Sequence, residues 1–128
     1  MDSETLYALL RQAGCDVEGT MRRMMQDRTF YLHLLESFYQ EQTWESLQKA
    51  LENEDYDAAF QAAHLIKGSA ATLGLTEIYK AVSRVVEKLR QSPDPSACGQ
   101  KEMSLTDPDY LEFRMQIRRF VKLYQSCL

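Results

Sequence analysis

No proline interrupts this chain before Pro93, and the other two lie at Pro95 and Pro108. Through such a stretch every backbone N–H remains available. Apolar residues recur three and four positions apart and seldom alternate, so the pattern predicts helices throughout. The first helix is expected within residues 1–13, with Leu6, Leu9 and Leu10 on one side, stopped by Gly14. Asp16 is placed to cap a short turn reaching Met25, and Asp27 to cap the next helix. There Phe30, Leu34 and Phe38 recur at four-residue spacing with Tyr31 and Leu35 beside them; Thr43 marks a kink before Trp44, Leu47 and Leu51.

After the Asn53-Glu54-Asp55 turn, a helix is expected from Tyr56 to Leu73, ended by Gly74. Thr76 is read as the cap of the following helix, whose stripe is Ile78, Val82, Val85, Val86 and Leu89. The segment 92–106 reads as a polar, proline-bearing loop. Thr106-Asp107-Pro108-Asp109 then starts the last helix: a capping threonine, an early proline, and acids at the positive dipole end. Tyr110, Phe113, Ile117, Phe120, Val121 and Tyr124 share one face of it. The organisation expected is one domain over 1–128: an N-terminal helix in 1–13, a motif-bearing part at 27–91, the loop 92–106 and a C-terminal helix at 107–127. The fold class is all-α, an up-down-up-down four-helix bundle with the N-terminal helix packed across it.

Composition sets further bounds. Hydrophobic residues make up 45% and charged residues 27%, enough for one core within one chain and hence a monomer. A net charge of −4 and the lack of a basic stripe argue against nucleic acid as partner. No apolar run approaches the roughly 20 residues of a membrane helix, and the opening Met1-Asp2-Ser3-Glu4 is acidic where a secretory signal is basic. Cys15, Cys98 and Cys127 are odd in number, far apart and without a C-x-x-C pair, which suits free thiols in a reducing cytoplasm. No metal-ligand cluster and no cofactor motif can be read.

The helix at 56–73 carries the chemistry. With His64 at zero on a wheel stepping about 100° per residue, Ala59, Ala62, Ile66, Ala70 and Leu73 gather near 200°, with Ala63 on the margin. That is the core face, and His64 points away from it. Around His64 lie Asp57, Phe60, Gln61, Lys67, Gly68 and Ala71. A neutral imidazole is a nucleophile near pH 7. Lys67, one turn on, can stabilise phosphoryl charge. Gly68 costs roughly 1 kcal/mol against alanine inside a helix, which implies close approach to the backbone there. Each has an ordinary alternative: a solvated histidine, a surface lysine, a glycine set by helix packing. Phe60 reads equally as a docking contact or as core margin. Ser69 reads as structural, its hydroxyl bonding back to the helix. His33 lies opposite Phe30, Leu34 and Phe38, without glycine or basic neighbours arranged as around His64, and reads as plain surface.

The stretch Ala63-His64-Leu65-Ile66-Lys67-Gly68-Ser69-Ala70, followed by Gly74, resembles the signature of histidine-containing phosphotransfer (HPt) domains. The likeness runs from about Gly14-Cys15-Asp16 to Arg90; the first dozen residues and the segment after Ser92 are carried by helix pattern alone. It implies a bundle that exposes a phosphorylated histidine. By position His64 matches the phosphoryl carrier, Lys67 the residue that supports the phosphate, and Gly68 the small residue that lets a receiver domain approach; Phe60, Gln61 and Ala71 fall on the same partner-binding surface. One departure is Leu65-Ile66, where the family often has a small polar residue and leucine. The resemblance further implies a phosphocarrier with no kinase activity of its own. It receives from the receiver aspartate of a hybrid sensor kinase and gives to that of a response regulator, and Mg²⁺ belongs to the receiver. Two other readings stand beside it: the N-terminal module of a chemotaxis-type kinase, and a helical adaptor that binds without phosphorylation. A sensor-kinase phosphoacceptor domain fits worse, since Leu65 follows the histidine where that family has an acid.

Overall fold

Five aspartates punctuate the chain and account for most of its helix starts. The computed structural model describes residues 2–90 and 102–128. Among them run α1 (Ser3–Gln12), α2 (Val17–Arg23), α3 (Arg28–Glu41), α4 (Thr43–Glu52), α5 (Tyr56–Leu73), α6 (Thr76–Leu89) and α7 (Pro108–Gln125). Asp2, Asp16, Asp27, Asp55 and Asp107 each accept backbone N–H bonds from the first turn of α1, α2, α3, α5 and α7. These carboxylates satisfy orphan donors and complement the helix dipole at once. The described residues are helical with turns between and contain no strand.

Two expected threonine caps are corrected. Asp107, not Thr106, caps α7, because Pro108 takes the first helical position and leaves the preceding residue as the cap. Leu75, not Thr76, precedes α6; the link from Gly74 is so short that Thr76 already lies in the first turn, where its hydroxyl donates to the Gly74 carbonyl (3.4 Å). The kink expected at Thr43 is a full break: Gln42 adopts the left-handed conformation (φ 50°), ends α3 and precedes α4.

The inward face of α3 also differs from the sequence reading. Tyr31, Leu35 and Phe38 are buried, Leu34 is half-buried, and Phe30 is 48% exposed. Tyr31 sets this rotation: its ring stacks on Tyr7 at 5.4 Å and its hydroxyl donates to the Leu73 carbonyl at 2.8 Å. Burial pushes the Tyr31 phenol well above its usual range, so it remains a donor. On α5 the buried residues are Ala59, Ala63, Ile66, Ala70 and Leu73; Ala63 joins the core and Ala62 sits at its edge.

Helix α5 packs against α4 and α6, α6 against α7, and α1 against α7 and α2. Alanines at the centre of α5 permit close approach to its neighbours. Lys88 near the end of α6 bonds Asp107 (3.1 Å) and Asp109 (2.9 Å), fastening that end to the start of α7. Of the expected loop at 92–106, the part at 92–101, with Pro93, Pro95 and Cys98, lies outside the described residues. Met103 is not loop surface but core, 3% exposed. Cys15 and Cys127 are free thiols, and burial pushes Cys15 up to about 11. Among the described residues, no helix is long and apolar enough to cross a membrane.

Candidate functional site

His64 stands exposed near the middle of α5 while Ala63 and Ile66 on either side of the turn are buried. The side chain therefore faces solvent from a backbone held rigid by the core. Its imidazole lies parallel to the Phe60 ring, with centroids 5.9 Å apart and planes 4° from coincidence. Phe60 is half-buried against the core, and the Arg90 guanidinium lies 5.7 Å from its ring centre. Of its two readings, core margin is what the structure shows for Phe60, with its other side against the His64 ring.

Lys67 lies one turn beyond His64 and is half-buried. Its ammonium sits 5.9 Å from the centre of the Tyr79 ring on α6. A cation over a ring face at this range is attracted by the ring quadrupole. Tyr79 thereby limits where the charge swings, and the sequence reading did not include it. Its one signal was an aromatic outside the α6 stripe.

Gly68 has a clear outcome. A Cβ built there meets nothing within 4 Å, so no helix packed against α5 requires the glycine. The space is open toward solvent, next to exposed His64, Leu65 and Ala71. Gln61 is exposed one turn before His64. Ser69 does not make the expected back-bond; Thr72 does, donating to the Gly68 carbonyl at 3.0 Å.

Beside His64 an open groove of about 540 Å³ runs between α3 and α5, with Leu34, Ser37, Phe38 and Glu41 on one wall and Leu65, Gly68, Ser69 and Thr72 on the other. Leu65 is 60% exposed at its lip. Leu34 packs against the core and also lines this groove. His33 is exposed on α3 and is not among the groove residues.

The C-terminal end of α5 is held from outside. Gly74 is left-handed (φ +70°), and its carbonyl accepts from the Asp16 N–H at 2.9 Å. Arg23 donates to the carbonyls of Ala71 (3.3 Å) and Thr72 (3.4 Å) and to the Thr20 hydroxyl (2.9 Å). A guanidinium is well suited to the negative end of a helix. Among the described residues, no group of three or more His, Cys, Asp or Glu side chains could hold a metal ion.

The arrangement offers an exposed nucleophile, a directed cation one turn away, and clear space over the backbone between them. Comparison with known proteins bears on it directly. The Hpt domain family model matches residues 33–119, which contain α4, α5, α6 and most of α3 and α7, and with them His64, Lys67 and Gly68. No curated protein and no solved structure matches the chain. Since the family match covers more than half of the chain, the chain belongs to the histidine-containing phosphotransfer, or Hpt, domain family.

Proposed function

We propose that this chain is a phosphorelay intermediate in which His64 alone carries the phosphoryl group. The receiver aspartate of a hybrid sensor kinase supplies it, and the receiver aspartate of a response regulator takes it. The observation behind this reading is the exposed His64, with open Gly68 and the ring-directed Lys67 beside it, inside the matched family region. In the forward step an imidazole nitrogen attacks phosphorus. The N–P bond forms, the P–O bond to the aspartate breaks, and the carboxylate leaves; the return step is its reverse. Lys67 offsets charge on the phosphoryl oxygens, and Phe60 holds the ring plane. The chain has no kinase activity of its own and acts as a phosphocarrier, as one monomeric cytoplasmic domain over 1–128. In this reading α3 to α7 form the up-down-up-down four-helix bundle, with α3 and α4 sharing one arm and α1 packed across it. The test is incubation with a ³²P-labelled receiver. The chain should acquire an acid-labile, base-stable phosphate; no labelling from any receiver in the host would favour an adaptor.

Mg²⁺ is assigned to the receiver, not to this chain. Chelator should leave the melting of the isolated chain unchanged and should stop transfer. A chelator-induced fall in melting temperature would contradict that assignment.

Gln61, Gly68 and Ala71, together with the rim of Phe60, form the surface proposed to lie under the receiver. Gly68→Gln should preserve the fold and stabilise α5 by up to about 1 kcal/mol, since glutamine is the better helix former. It should nevertheless block transfer by filling the space above the backbone. A Gly68→Gln variant that melts normally and transfers at the normal rate would show that the receiver approaches elsewhere.

Lys67→Ala should slow transfer roughly tenfold, less than the loss of a fully desolvated donor, because the side chain is partly in water. Tyr79→Leu leaves the lysine but removes the ring, and should slow transfer by roughly twofold to fivefold. Equal rates for Tyr79→Leu and the parent in stopped-flow transfer would mean that the ring does not direct Lys67.

A further inference from the structure

Charge is distributed unevenly along this chain. After Glu112 no aspartate or glutamate occurs, while Arg114, Arg118, Arg119 and Lys122 fall close together; the remaining 11 cations share the rest of the chain with all 19 acids. All four lie on α7. Arg118, Arg119 and Lys122 are exposed and Arg114 is half-buried, its guanidinium 5.9 Å from the Tyr110 ring centre. The ion pairs among the described residues take Arg11, Arg23, Arg28, Lys80, Lys88 and Arg90, and none takes a cation of α7. Arg114 and Arg118 share a groove with Glu45 of α4 but form no ion pair with it.

The cations frame an apolar strip. Leu111 is 49% exposed and Met115, one turn on, is half-exposed. Leu111, Arg118 and Lys122 fall seven and four residues apart, so they share the outer face opposite the buried row of α7, and Arg114 lies at its margin toward α4. From Leu111 to Lys122 this face is about 16 Å long. Cations so close together repel one another; Arg114 packs on the Tyr110 ring, and Arg118, Arg119 and Lys122 have no ion pair among the described residues.

We infer that the outer face of α7 docks an acidic amphipathic helix of a second polypeptide. Leucine-like residues of that helix would cover Leu111 and Met115, and carboxylates at its flanks would face Arg114, Arg118, Arg119 and Lys122. The shape favours a short segment over a long polyanion. The patch spans only three helical turns, and the surplus of acids over the rest of the chain repels anything that extends past it. The surface is separate from the His64 face: none of Leu111, Arg114, Met115, Arg118, Arg119 and Lys122 lines the groove beside His64. Both can be occupied together, so a tethering partner could hold this chain while a receiver exchanges phosphate with it.

The test uses the full chain and a synthetic amphipathic peptide with leucines on one face and glutamates beside them. Amide shifts on titration should map to α7. Binding should weaken about tenfold in Arg118→Glu/Lys122→Glu, whose fold is checked by circular dichroism. Transfer from a labelled receiver should proceed at the same rate with peptide bound. Undiminished binding by the variant, shifts centred elsewhere, or no binding at low salt would overturn the proposal. So would competition between peptide and receiver. Tighter capture by phosphatidylglycerol vesicles or by a single-stranded oligonucleotide would overturn it in favour of a lipid or nucleic-acid surface.

Discussion

Replacing His64 with glutamine is expected to abolish labelling by a phosphorylated receiver and leave the helices intact. The side chain is exposed, and its ring stacks on Phe60. Exposed polar substitutions of this kind usually change stability by less than about 0.5 kcal/mol. Glutamine keeps similar length and polarity but offers only an amide nitrogen, which is no nucleophile. Transfer should therefore fall to background while the melting curve scarcely moves. His33→Gln should label like the parent, because that histidine lies on α3 outside the groove. Site mapping of the labelled protein under alkaline conditions, where phosphohistidine survives, is decisive. Phosphate on His33, or persistent labelling of folded His64→Gln, would refute the assignment.

The largest effect on stability is expected at Gly74, ten residues away. Alanine there would strain a backbone at φ +70°. Its Cβ would also stand 2.2 Å from the Thr20 hydroxyl and 2.5 Å from the Asp16 carbonyl oxygen. Neither neighbour yields easily. The hydroxyl donates to that same carbonyl at 2.7 Å, and the carbonyl belongs to the backbone at the start of α2. Gly74→Ala should cost about 2–4 kcal/mol and lower the melting temperature by on the order of 10 °C. Gly74→Asn separates the two causes, since asparagine tolerates left-handed backbone. If Asn is as damaging as Ala, the close approach dominates; if it is nearly neutral, the backbone conformation does. Normal melting of both variants would contradict the packing of α2 on the end of α5.

The helical pattern was legible in the sequence wherever one residue's position decides its burial. Alanines and Ile66 recur with the period of a helix, which turns His64 outward, and it is exposed. The capping aspartates at 16 and 27 are legible because a short carboxylate before an apolar run has few other uses. The failures share a different cause. Phe30 and Tyr31 are adjacent aromatics, and nothing local says which turns inward; a hydroxyl bond from Tyr31 to Leu73, 42 residues away, decides it. Lys67 finds Tyr79 across a helix pair, and Phe60 finds Arg90 from the end of α6. These contacts depend on helix rotation and crossing, which spacing along one helix does not encode. Thr106 reads as a cap in the sequence because threonine and aspartate compete for that role, and Pro108 decides for Asp107.

The grip of α2 on the end of α5 bears on where this protein can be cut. The region matched by the family begins at residue 33, yet Asp16 holds Gly74, Arg23 holds Ala71 and Thr72, and Tyr31 holds Leu73. A fragment trimmed to the family boundary would remove these bonds from the last turn of the helix that bears His64. It would also strip Leu6, Tyr7, Leu10, Val17 and Met21 from the core. Such a fragment would keep every residue assigned to the chemistry and still fray at the helix that presents it, so the minimal active piece is longer than the recognisable one.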